Sequence, residues 1–135
     1  MATTFNINTK AINETATLHL VDVETQQPLY ADEAEKSPLQ IVLNGKASKA
    51  YRAALSSLSR KSEARKGKST FDQNVQSNNE LLADISVEAI NFDMGDGKPI
   101  KTKEQFMELY ATKGLYWIKD QVSAFLEDDA SFLLK

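Results

Sequence analysis

The chain has 135 residues, with 16 basic and 19 acidic side chains, a net charge of −3, one histidine and no cysteine. Those figures exclude disulfides, thiolate metal sites and cysteine nucleophiles, and they argue against non-specific nucleic-acid binding, which needs a clustered positive field. No stretch approaches the roughly 20 apolar residues of a membrane span, and residues 1–10 lack the basic start and apolar core of a signal peptide, so the expectation is one soluble domain, 1–135.

The first 45 residues read as β structure. Over 15–23, Leu18, Leu20 and Asp22 fall on one face and Thr17, His19, Val21 and Val23 on the other, the period of a strand. A second short run, 39–43, aligns Leu39, Ile41 and Leu43 and ends at the turn pair Asn44-Gly45. The acidic loop 31–38 joins them. Two antiparallel strands are marginal alone, so this element must lie on the helices or borrow strands from a partner, which leaves self-association open.

Beyond Gly45 the period becomes helical. Ser48 caps a helix over 48–63 in which Tyr51, Ala54, Leu55 and Leu58 recur at the spacing of one buried face. Residues 64–70, with Gly67 between two lysines, read as a flexible loop. A long helix is expected over 70–90, carrying Val75, Leu82, Ile85 and Ala89 and weakened at Ser77-Asn78-Asn79, where side chains compete for backbone hydrogen bonds and could split it. Gly95, Gly97 and Pro99 then force a turn. Thr102-Lys103-Glu104-Gln105 has the form of a capping box and opens a helix over 102–111. A last helix, 115–126, stops at Glu127-Asp128-Asp129, because three acids oppose the helix dipole at a C-terminus. The fold class is therefore α+β, a small N-terminal antiparallel element on a mainly helical remainder.

No arrangement of residues announces catalysis. His19 has no nucleophile motif beside it and reads as a residue on a half-buried strand face. Asp93 and Asp96 suggest a calcium loop only superficially, since Met94 and Lys98 interrupt the alternation of ligands. Gly95-Asp96-Gly97-Lys98 is too short for a phosphate-binding loop and lacks its hydroxyl residue. These readings assign no catalytic residue, no cofactor and no metal, and the chain is read as non-enzymatic. Two groups remain as candidate contact residues. One is aromatic: Phe106, Tyr110, Tyr116, Trp117, Phe125 and Phe132, of which any left exposed would anchor a partner. The other is basic: Lys49, Arg52, Arg60, Lys61 and Arg65, within a run from Lys46 to Lys68 that holds a single acid, Glu63. It reads either as a solvated helix face or as a patch that meets an acidic protein or nucleic acid.

In order along the chain, Leu81-Leu82-Ala83, Ile90-Asn91-Phe92, Asp96-Gly97-Lys98-Pro99-Ile100, Thr102, Gln105-Phe106, Leu109, Trp117-Ile118-Lys119-Asp120-Gln121-Val122 and Phe132 resemble the pattern of the tail assembly chaperones of long-tailed phages. In that family a helix ending in a bulky aromatic leads into an Asp-Gly-x-Pro turn, a capped helix and a helix ending near a Phe. The resemblance covers about the last 55 residues and, more loosely, 47–60. Phe92 stands where many relatives carry Trp, and Lys101 and Lys103 make the turn more basic. The resemblance implies a protein of the host cell cytoplasm, absent from the mature virion, that binds the tape measure protein and keeps it soluble until the tail tube assembles, with the tube protein a further partner. Two other readings stay open, a structural or completion protein of the tail, and a small nucleic-acid-binding or regulatory protein using the basic run.

Overall fold

A computed structural model of the chain describes residues 3–64 and 70–128. Its elements, in chain order, are β1 (Thr15–His19), β2 (Gln40–Asn44), α1 (Lys49–Ala64), α2 (Phe71–Ile85), β3 (Ser86–Ile90), α3 (Lys103–Ala111) and α4 (Tyr116–Glu127), with single 3-10 turns at Ile7–Lys10 and Lys113–Leu115. The class is α+β. The three strands form an antiparallel sheet in the order β1-β2-β3.

The expected strand pair is present, with Leu18 opposite Ile41 and Ala16 opposite Leu43. Regular pairing ends at His19 instead of Val23. Leu20 still donates its N–H to the Leu39 carbonyl (2.9 Å), but the Asp22 carboxylate accepts from Glu24 N (2.7 Å) and Thr25 N (3.1 Å), and these local bonds turn the chain away from the sheet. Leu20, Ile41 and Leu43 are almost wholly buried, as their shared period predicts.

The largest departure from the sequence reading lies at 86–90. The helix expected over 70–90 ends at Ile85, and Ser86–Ile90 continues as β3 on the open side of β2. Ile85 and Ala89 sit four apart and fit a helical stripe, but β2 presents an unpaired backbone edge on the side away from β1, so tertiary pairing overrides local periodicity. Register slips between Val42 and Leu43: Val42 faces Glu88 while Leu43 faces Ser86, which leaves Val87 bulged outward. The third strand thus comes from this chain, and the sheet requires none from a partner. Its outer edge is tied down where Ala89 N donates to the Ile100 carbonyl (2.9 Å).

Nor does α2 split at Ser77-Asn78-Asn79. The helix runs through, with Ser77 and Asn79 buried; among the described residues the Asn79 Oδ1 has no hydrogen-bond partner. Two capping boxes open helices. At Thr102 the hydroxyl accepts from Gln105 N (3.2 Å) and Gln105 Oε1 accepts from Thr102 N (3.0 Å), as expected. At Thr70 the same exchange occurs with Gln73, at 3.2 and 2.9 Å. The Ser48 hydroxyl accepts from Tyr51 N (3.1 Å) and caps α1.

Helix α1 lies outermost. Ala54 is buried and Tyr51 half-buried against the core, but Leu55, expected on the same face, is 42% exposed. An ion-pair network fastens this side: Lys61 pairs with Glu80, and Lys103 lies 2.9 Å from Asp84 and 3.8 Å from Glu80, joining α1, α2 and α3. The hydrogen bond from Lys61, helped by the Lys103 charge, holds the Glu80 carboxyl below its usual range, and the Asp84 partner raises the Lys103 ammonium above its own. The loop expected at 64–70 falls mainly on residues outside those described. Among the described residues no helix is long and apolar enough to cross a membrane.

Candidate functional site

Helix α4 presents two parallel stripes. Ile118, Val122 and Leu126, four apart, are buried in the core. One position before each of them stand Trp117, Gln121 and Phe125, all half-buried, forming a ridge between two concavities. Gln121 fixes the ridge: its Oε1 accepts from Val21 N (2.9 Å) and its Nε2 donates to the Val21 carbonyl (2.7 Å). One carboxamide thus satisfies both backbone groups of Val21, as a neighbouring strand would, and holds α4 against the chain leaving β1.

The concavity beside Trp117 is a groove of about 280 Å³. Leu20 and Leu39 line its floor from the sheet side, Phe92 and Met94 one wall from the turn after β3, and Leu115, Trp117 and Ile118 the other. The turn owes its shape to its sequence. Asn91, Gly95 and Gly97 adopt φ of 69°, 91° and 72°, the left-handed region that Gly and Asn tolerate. Asp93 Oδ1 accepts from Gly95 N (2.6 Å) and Asp96 Oδ1 from Lys98 N (3.0 Å), so both carboxylates close local turns. Asn91 Nδ2 donates to the Pro38 carbonyl (2.8 Å) and ties this turn to the loop before β2. The second concavity, about 340 Å³, lies between β1 and the far half of α4 and is lined by Leu18, His19, Val21, Gln26, Gln121, Ala124, Phe125 and Asp128.

The structure separates the six aromatic candidates. Phe106 and Tyr110 are core side chains, stacked with ring centroids 5.9 Å apart and no more than 2% exposed, so they are corrected from contact residues to packing residues. They belong to the face of α3 that packs into the core, and the spacing alone did not say which side was wet. Burial pushes the Tyr110 hydroxyl pKa up to about 12, and the hydroxyl lies 2.6 Å from Ser86 Oγ. Ser86 Oγ donates to the Leu82 carbonyl (2.6 Å), which leaves Tyr110 as donor to Ser86. Tyr116 is 60% exposed and lines neither concavity, Trp117 lines the groove and Phe125 lines the second concavity. Phe132 lies outside the described residues. The groove-lining residues Leu39, Met94 and Leu115 were not singled out by sequence, since nothing local links 39, 94 and 115.

The basic candidates do not converge. Lys49, Arg52 and Arg60 are exposed on α1, Arg60 Nε donating to the Ser56 carbonyl (3.4 Å). Lys61 is committed to Glu80, Lys46 pairs with Glu127 at 3.1 Å, and Arg65 lies outside the described residues. His19 sits half-buried as expected, Nε2 donating to the Leu29 carbonyl (2.8 Å) and its ring edge-on to Tyr30 at 5.0 Å. No group of three or more His, Cys, Asp or Glu among the described residues is placed to hold a metal ion. What the ridge and grooves offer is apolar concave surface with backbone-fixed walls, suited to holding side chains of another chain. No family model matches this chain, and neither the curated proteins nor the solved structures contain a detectable relative.

Proposed function

We propose that this chain is a non-enzymatic protein-binding module that acts as a tail assembly chaperone of a long-tailed phage, holding the tape measure protein in the host cytoplasm until the tail tube forms around it. The reading rests on the resemblance of the residues from Leu81 onward, and the observation that carries its binding part is the apolar groove beside Trp117. A tape measure protein that is largely helical exposes apolar stripes before assembly, and a small apolar groove that takes a few side chains suits an occupant that must later be displaced. Burying one Leu- or Phe-sized side chain there contributes about 1.5–3 kcal/mol, so two or three such contacts give moderate, reversible affinity. Tyr116, exposed and next to Trp117 in the chain, supplies an amphipathic contact of the kind enriched at interfaces.

Co-expression with the tape measure protein of the same phage tests the proposal. The expected result is a tape measure protein that stays in the soluble fraction and co-purifies with this chain. An insoluble, unbound tape measure protein contradicts it, as does recovery of this chain by mass spectrometry from purified virions, which fits a structural tail subunit instead.

A further inference from the structure

The walls of the Trp117 groove differ in charge. On the sheet side, Leu39 leads back into the loop 31–37, which is closed by Ala31 N to the Ser37 carbonyl (2.8 Å) and by the bridge between Tyr30 and Pro38. That loop carries Asp32, Glu33 and Glu35 against Lys36. Hydrogen-bonded to its base through Asn91 and Pro38 is the turn 91–98, with Asp93 and Asp96 against Lys98. Asp93 itself lines the groove, and Glu33, Glu35, Asp93 and Asp96 are exposed. The joined loops thus carry a surplus of three negative charges, as large as the net charge of the entire chain, and meet the slot at Leu39 and Asp93. The segment 113–120, which supplies Leu115, Trp117 and Ile118 to the lining, carries Lys113 and Lys119 against Asp120, a surplus of one positive charge.

From this charge complementarity we infer that the groove takes a basic amphipathic segment of its partner: an apolar anchor enters between Phe92, Met94 and Trp117, while Lys or Arg on the flanking turn faces the loops 31–37 and 91–98. The inference deepens the proposed binding role and rests on the groove being a partner site. Two consequences distinguish it from plain apolar docking. An acidic segment with the same apolar anchors meets like charge and is rejected, so the loops act as a selectivity filter. The preference also depends on salt, because attraction between exposed charges is felt at low ionic strength and is largely screened once the Debye length falls to about 4 Å.

Trp117 is the only tryptophan in the chain and lines the groove, so its emission reports occupancy directly. The test titrates the whole protein with three synthetic helical peptides free of Trp and Tyr. They share one pattern of Leu and Phe anchors and carry Lys, Gln or Glu on the polar face. At about 50 mM salt the Lys peptide is expected to bind roughly tenfold tighter than the Glu peptide, with the gap closing to about twofold near 0.5 M. In the variant Glu33→Gln/Glu35→Gln/Asp93→Asn/Asp96→Asn the low-salt gap is expected to shrink in the same way. The Asn side chains keep the acceptors that close the turn, so the fold is retained. Equal binding of all three peptides overturns the inference while leaving an apolar partner site in place. No response of Trp117 to any peptide overturns the inference and the binding site together. A selective, salt-dependent preference for the Lys peptide in a chain that leaves the tape measure protein insoluble keeps the inference and removes only the chaperone role.

Discussion

Helices α1 and α4 make an instructive pair. The longer one, α1, has 16 residues and a well-spaced apolar set, yet among its described side chains only Ala54 is fully buried. The shorter one, α4, has 12 residues and buries Ile118, Val122 and Leu126, then uses the next stripe to build the walls of two concavities. Period tells which residues share a face, while the neighbours available decide what that face is worth. Helix α1 meets chiefly α2; α4 packs on α3, α2 and the Lys113–Leu115 turn and is clamped to the chain leaving β1, so the stripe of Ile118, Val122 and Leu126 is covered while Tyr116 stays exposed. Stability and the candidate site therefore belong to the same region, and α1 is appended to it.

Substitutions on the two helices should therefore differ sharply in cost. The largest effect is expected at Ile118→Ala, which opens a cavity where sheet and helix meet and costs about 3 kcal/mol in chemical denaturation. Next comes alkaline pH. Tyr110 has an ordinary pKa of 10.0, raised by burial to about 12 in the folded chain. The folded state therefore keeps its proton over a range where the unfolded state loses it, so stability is full below pH 10 and falls as pH climbs towards 12, by about 2–3 kcal/mol. Tyr110→Phe should flatten that decline in stability measured against pH. Gln121→Ala strips the N–H and C=O of Val21 of their partners and is expected to cost about 2 kcal/mol, with faster amide exchange at Val21. Thr102→Ala removes the cap of α3, whose Phe106 and Leu109 lie in the core, and should lower global stability by about 1 kcal/mol. Smallest is Leu55→Ala on α1, expected to shift stability by less than about 0.5 kcal/mol because the side chain is already 42% exposed. A cost of 2 kcal/mol or more there would show that α1 is integral and would erase the contrast.

Much of the fold was legible where local chemistry decides the outcome. The Thr102 box, the turn at Gly95 and Gly97, the face shared by Leu39, Ile41 and Leu43, and the stop after Glu127 all depend on residues within a few positions of one another. Ser86–Ile90 was illegible for the complementary reason. Its five residues become a strand only because β2, more than 40 positions earlier, presents an unpaired edge, and no local period contains that edge. The Thr70 box was readable from Thr-x-x-Gln but was obscured by the polar residues that precede it in the chain. For the site, Trp117 and Phe125 were legible as aromatics on one helix, whereas Leu39, Met94 and the backbone clamp of Gln121 required the folded chain, since each lies far in sequence from what it touches.

The central claim is that the groove beside Trp117 is where a partner is held, and the direct measurement is solubility of the tape measure protein co-expressed with the wild-type chain or with Met94→Glu. Met94 is half-buried on the groove wall in a turn, so the substitution places a charge in the slot without emptying the core. With circular dichroism unchanged, the account predicts that the wild type keeps the tape measure protein soluble and the variant loses most of that ability. A variant that performs as well as the wild type would contradict it.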